Sequence, residues 1–186
     1  LMLEFLNIKK IPYRLEGKIV VDQDINKIES LYERAKSLEM KGVEIIKDSA
    51  VIDKEPNSKI LQGLFVPQAG VVDYKVVTEM MALTFKQSGG EIEYFQEIID
   101  IKDEQDSKLV SSKKQTFAGD FLINCAGLFS DKVAKLDGLN PKVQIIPFRG
   151  EYYEIVNQKT HLLNNMIYPI ADPDLPFLGI HLTKTV

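Results

Sequence analysis

Apolar positions along the chain follow two different periods. Between Asp24 and Gly42, the residues Ile28, Leu31, Tyr32, Ala35 and Leu38 recur at the spacing that lines one face of an α-helix. Asn26 and Glu29 have the spacing of a capping box, and Gly42 supplies a stop. A second helix is predicted after Asp73, its N-cap, with Tyr74, Val77, Met81 and Phe85 on one side and Gly89-Gly90 at its end. A short third helix is predicted over "DKVAKLDG", capped by Ser130. Elsewhere the apolar residues crowd into short β-branched or alternating runs, which predict strands. These are "GKIVV" (17–21), "VEII" (43–46), "ILQGLFV" (60–66), then "EIEYF", "EIIDIK", "KLVSS", "QTFAG" and "DFLINCAG" between 91 and 127. "VEII" is followed by polar residues and a short helical turn near Pro56, and "SSKK" at 111–114 reads as a solvated hairpin turn. The remainder, "KVQIIPFRGEYYEIV", "MIYPIAD" and "PFLGIHLT", reads as three strands of a second sheet.

The fold predicted is therefore mixed, α+β, with antiparallel strands in the last third. A chain of 186 residues with 45% hydrophobic and 27% charged residues can bury a core, which argues against disorder. The net charge of -4 and the scattered lysines lack the basic footprint of a nucleic-acid binder. Cys125 is the only cysteine, so an intrachain disulfide is impossible and a reducing compartment fits. With two histidines, His161 and His181, a histidine-rich metal site cannot be built. No apolar run is long enough to span a membrane, and the first residues lack the layout of a signal peptide. Both ends are abrupt, as expected of a piece of a longer chain.

Three stretches carry candidate chemistry. "LINCAGLFSDKVAKL" (122–136) reads as a strand that stops at Gly127 and turns into a helix. Glycine lets backbone approach a ligand closely, and a helix start can face phosphate oxygens. A small residue at a tight turn is the plainer reading. No G-x-G-x-x-G, P-loop, H-E-x-x-H or G-x-S-x-G motif occurs, so a nucleotide site built wholly by this chain is not expected. In "PFRGEYYEI" (147–155), Arg149 is suited to clamp a carboxylate, although surface strands often carry such residues. In "IYPIADPDLPFLGIHLT", prolines and aspartates flank a run bearing His181, and a lone histidine more often serves structure than catalysis.

Taken in order, "GVVDYKVVTEMM", "INCAGLFSDKVAKLDGL", "IPFRGEYYEI" and "IYPIADPDLPFLGIHLT" resemble the L-2-hydroxyglutarate dehydrogenase/oxidase family. That family belongs to the FAD-dependent oxidoreductases of the D-amino-acid-oxidase type. The resemblance covers nearly the whole chain, but the glycine-rich turn holding the ADP half of FAD is missing, as is a histidine-containing segment near the flavin. The resemblance thus implies a central fragment: most of a substrate-binding domain with an antiparallel sheet and flanking helices, plus part of a Rossmann-like FAD-binding domain. It implies residues 1–72 as the first part of the substrate domain and 73–140 as the contribution to the FAD domain, with the strand-turn-helix of 120–138 at the cofactor. Residues 141–186 would complete the substrate sheet.

The same resemblance implies which residues do what. Cys125, Ala126, Gly127 and Ser130 would lie at FAD. Arg149 would take a substrate carboxylate, and Tyr152 or Tyr168 would orient the substrate. His181 would be a substrate contact or the base, in competition with the missing histidine. The implied reaction is oxidation of L-2-hydroxyglutarate to 2-oxoglutarate, with oxygen or a quinone as electron acceptor. The implied location is cytoplasmic, or peripheral on the inner face of the membrane. Two alternatives stay open: a related enzyme acting on another 2-hydroxy acid, an amino acid or glycerol 3-phosphate, and a binding domain without catalysis.

Overall fold

A computed structural model describes residues 1–175 and 179–185. Two compact units are present, Leu1–Ser88 with Glu154–Val186, and Gly89–Tyr153.

The first unit is built on a four-stranded sheet. β2 (Lys18–Val21) lies at its centre, antiparallel to β4 (Gln62–Val66) and parallel to β9 (Met166–Pro169), and β3 (Glu44–Lys47) closes the far edge beyond β4. Alternation along β2 sends Ile19 to one face, where it is fully buried with Ile46 and with Val51 of helix α3 (Ser49–Lys54). Lys18 and Val20 consequently point to the other face. Gly63, beside Ile19 in this sheet, has no room for a side chain: a Cβ there would come within 2.5 Å of Ile19. Helix α2 (Ile25–Ser37) packs on β3 and β4 through Ile28 and Ala35.

A second, smaller core joins helix α1 (Met2–Lys9) to helix α4 (Tyr74–Gln87), where Leu6, Ile11 and Val77 are buried together. The two-stranded sheet of β1 (Tyr13–Leu15) and β5 (Gly70–Val72) flanks it. Sequence periodicity assigns no helix to 2–9, because Leu1, Met2, Leu3 and Ile8 are all exposed and only Leu6 marks a buried face.

Local details depart from the sequence reading in instructive ways. Asp24, not Asn26, caps α2: its carboxylate accepts the Asn26 amide at 2.9 Å. The helix stops at Leu38, ahead of Gly42, because Glu39 adopts a left-handed conformation with φ 53°. Asp73 does cap α4, accepting from Lys75 at 2.8 Å. The face of α4 turned to the core runs through Val76, Val77 and Met80, whereas Tyr74, Met81 and Phe85 stay exposed.

The second unit holds a three-stranded antiparallel meander, β6 (Ile98–Glu104), β7 (Ser107–Ser112) and β8 (Thr116–Gly119). Ser112 closes its second turn, accepting from the amides of Lys114 and Gln115. The predicted strands "EIEYF", "DFLINCAG" and "KVQIIPFRGEYYEIV" are not strands here. Their backbone is irregular, and Phe95, Phe121, Ile123, Val143 and Ile146 are exposed. Apolar runs become strands only where another strand bonds to them, and no strand pairs with these among the described residues. The antiparallel meander therefore sits in the middle of the chain. In the last third β9 runs parallel to β2, and "PFLGIHLT" contributes one isolated bridge, Leu182 to Ile167. The first three residues of that run, 176–178, lie outside the described residues.

Candidate active site

The bridge between Ile167 and Leu182 sets the register of the candidate site. Their backbones exchange both hydrogen bonds, at 3.0 and 2.9 Å, which places Tyr168 opposite His181 and Met166 opposite Thr183. The two rings stack, with centroids 4.5 Å apart and planes inclined by 26°. On the other edge of β9, pairing with β2 aligns Tyr168 with Val20 and Met166 with Lys18. One face of the sheet thus carries Lys18, Tyr168, His181 and Thr183, with Tyr168 on the middle strand. The Lys18 ammonium stands over the Tyr168 ring, 5.3 Å from its centroid.

This face floors an open cleft of about 520 Å³, a volume within the range of small-molecule sites. Lys18, Met166, Tyr168, Thr183 and Lys184 line one side, and β5 with Tyr74 the other. His181 does not line the cleft itself but stands beside it against Tyr168. The lining has two lysines and no carboxylate, in a chain whose net charge is -4. Nearby, Glu16 is engaged by Lys184 at 2.7 Å and by Arg14 at 2.8 Å, one cation to each carboxylate oxygen. Lys18 makes no ion pair among the described residues. Sequence reading passed over Lys18 and Lys184; the signal available was a lysine at the head of an otherwise apolar strand.

His181 is held by its own loop. Its Nδ1 lies 3.1 Å from the Gly179 carbonyl. A carbonyl only accepts, so Nδ1 is the donor in this contact, which leaves Nε2 as the ring nitrogen that would act on a ligand. The start of β9 is pinned from the opposite direction. Glu55, 1% exposed at the end of α3, accepts the backbone amides of Asn164 (3.2 Å) and Asn165, and the Asn165 side chain donates to the Glu16 carbonyl at 2.7 Å.

The residues expected at the cofactor form a turn in the second unit. Gly127–Phe129 is a 3-10 turn that runs directly into helix α5 (Ser130–Leu136). Ser130 is the first residue of that helix and not its cap; its hydroxyl donates back to the Gly127 carbonyl at 2.9 Å. Asn124 brackets the turn, accepting the Ala126 amide at 3.2 Å and donating to the Ser130 carbonyl at 2.8 Å. Cys125 is exposed. Gly127 has φ 55°, and a Cβ added there would meet nothing within 4 Å. The turn therefore offers an open backbone edge. Arg149 and Tyr152 lie on the exposed, irregular segment of the same unit, where Arg149 faces Glu151 at 3.5 Å.

The architecture is one already seen in solved oxidoreductases. L-proline dehydrogenase from P. horikoshii superposes with a TM-score of 0.71, covering 90% of this chain and 46% of that one at 14% identity, a likeness of fold alone. The chain belongs to the FAD dependent oxidoreductase family, whose model matches residues 2–186. It is 37% identical to the L-2-hydroxyglutarate dehydrogenase of Indibacter alkaliphilus, over 98% of this chain and 47% of that protein. It is 38% identical to the mitochondrial L-2-hydroxyglutarate dehydrogenase of Caenorhabditis briggsae, over 97% of this chain and 44% of that protein. The chain thus spans about half the length of the relatives it matches.

Proposed function

We propose that the intact protein oxidises L-2-hydroxyglutarate to 2-oxoglutarate. The observation that carries this reading is the cationic cleft at the Tyr168–His181 pair, in a chain so similar to proteins bearing that activity in their names. Bound FAD supplies the acceptor for the hydride that leaves C2. The protein's part is to hold the dianion, align C2 and accept the hydroxyl proton, which His181 Nε2 takes as the carbonyl forms. Tyr168 fixes the plane of His181. Arg149 as a carboxylate clamp and Tyr152 as an orienting group rest on the family resemblance.

In this reading the turn at 125–130 supplies one wall of the cofactor site. The electrons then pass to oxygen or to a quinone. The location that goes with this reading is cytoplasmic, or peripheral on the inner face of the membrane where the acceptor is a membrane quinone. The test is anaerobic bleaching of the flavin in the intact protein by L-2-hydroxyglutarate and then by its D isomer. Rapid bleaching by the L isomer alone is expected. A flavin that neither isomer reduces discards this substrate.

A further inference from the structure

A monocarboxylate and a dicarboxylate present the same reacting carbon, so something away from that carbon must tell them apart. Two of three neighbouring cations, Lys18 and Lys184, line the cleft, and the third, Arg14, joins Lys184 through their shared partner Glu16. Glu16 occupies two of them, and Arg14 also donates to the Thr185 carbonyl at 2.6 Å. Among the described residues Lys18 is left with an aromatic face as its partner and no counter-charge. A half-buried ammonium in that position gains most from an incoming anion, because none of its charge is already balanced.

Strand order then fixes where that anion must lie. β2 pairs with one edge of β9 and the Leu182 bridge with the other, so His181 sits directly opposite Tyr168 while Lys18, aligned with Met166, reaches the Tyr168 ring from the other strand. Neighbouring strands are about 4.8 Å apart, which separates the two flanking backbones by roughly 10 Å before the side chains lean inward. A five-carbon diacid laid across Tyr168 has its hydroxyl-bearing end towards His181 and its far carboxylate towards Lys18.

We propose that Lys18 is the residue that selects a dicarboxylate, its ammonium binding the carboxylate distal to the carbon oxidised. The inference rests on the function proposed above and adds the group that reads the second charge. Such a contact acts on binding more than on the hydride step, since the distal carboxylate does not change during the reaction.

The experiment is anaerobic flavin reduction in the intact protein, wild type against Lys18→Met and Lys18→Gln. The substrates are L-2-hydroxyglutarate and L-2-hydroxyvalerate, which keeps the five-carbon chain and lacks the second carboxylate. Both variants should raise the half-saturating concentration of L-2-hydroxyglutarate about 10- to 100-fold, the value of one charge-assisted hydrogen bond. The limiting reduction rate should stay within about threefold, and L-2-hydroxyvalerate should be handled as by wild type. Lys18→Arg should recover most of the lost affinity. Equal weakening of both substrates would show that Lys18 merely supports Tyr168, and unchanged affinity for both would show that it touches neither; either result overturns the inference. Wild-type flavin left oxidised by L-2-hydroxyglutarate overturns the substrate reading instead, and the inference with it.

Discussion

Tyr168 and His181 stack because strand register puts them opposite one another, one pair along from the Ile167–Leu182 bridge. The stack and the Gly179 carbonyl together fix the imidazole, and Nε2 has no hydrogen-bond partner among the described residues. His181→Ala in the intact protein is therefore expected to lower the limiting rate of flavin reduction about 100-fold, within the range of positioned bases. A fall of less than tenfold would remove His181 from the base role. Tyr168→Phe keeps the ring and should preserve the effect of His181, whereas Tyr168→Leu should approach the His181→Ala rate.

Glu55 offers a test of how the site is supported. Its carboxylate is buried and satisfied by two backbone amides just before β9. Glu55→Ala leaves both amides without a partner and should cost about 2 kcal/mol in urea unfolding, while Glu55→Gln, which keeps one accepting oxygen, should cost about half as much. Equal midpoints for wild type and Glu55→Ala would mean that water replaces the carboxylate without loss.

The difference between what could and could not be read in the sequence has a physical pattern. Helices α2 and α4 and strands β2 and β4 announce themselves, because local periodicity and the Asp73 cap carry the information. Tyr168 and His181 could be named as candidates one by one, but their contact depends on a bridge between segments that no local pattern encodes. Lys18 escaped because a lysine on a strand resembles any solvated residue until β9 is laid beside it. The run 120–127 has the composition of a buried strand, yet it stays irregular with Phe121 and Ile123 exposed. Composition gives propensity, and pairing decides.

Lys108 gives the second unit a pH signature. Its ammonium bonds Asp103 at 2.7 Å and Asp137 at 2.6 Å, tying β7 to the end of α5. The hydrogen bonds to Asp103 and then Asp137 hold its pKa above the ordinary lysine value of 10.5, against a smaller opposing effect of desolvation. A raised pKa in the folded state means stabilisation that is complete below 10.5 and lost as pH climbs through the raised value. Thermal unfolding should therefore show Lys108→Met less stable than wild type at neutral pH, with the gap constant into mildly alkaline solution and closing only above pH 10.5. A gap that closes between neutrality and pH 9 would assign the effect to some other group (~1.5 units below the ordinary lysine range).

Gly127 separates two reasons for a glycine at the turn. Its φ of 55° disfavours most side chains, and the space where a Cβ would sit is empty to 4 Å. If conformation alone requires glycine, Gly127→Ala should cost about 1 to 2 kcal/mol of stability, and Gly127→Asn, which tolerates the left-handed region, much less. Neither change would then alter cofactor affinity beyond its effect on stability. If the backbone here lies against FAD, both side chains intrude on the ligand. Gly127→Asn should then unfold nearly as wild type while binding FAD at least about tenfold more weakly, as read by titration of the apoprotein of the intact chain. The second outcome is the one expected from the family resemblance, which puts this turn beside FAD; open space alone does not single it out, since Gly89 and Gly138 are equally unobstructed. Wild-type FAD affinity in Gly127→Asn would reduce Gly127 to a turn residue and move the cofactor wall elsewhere.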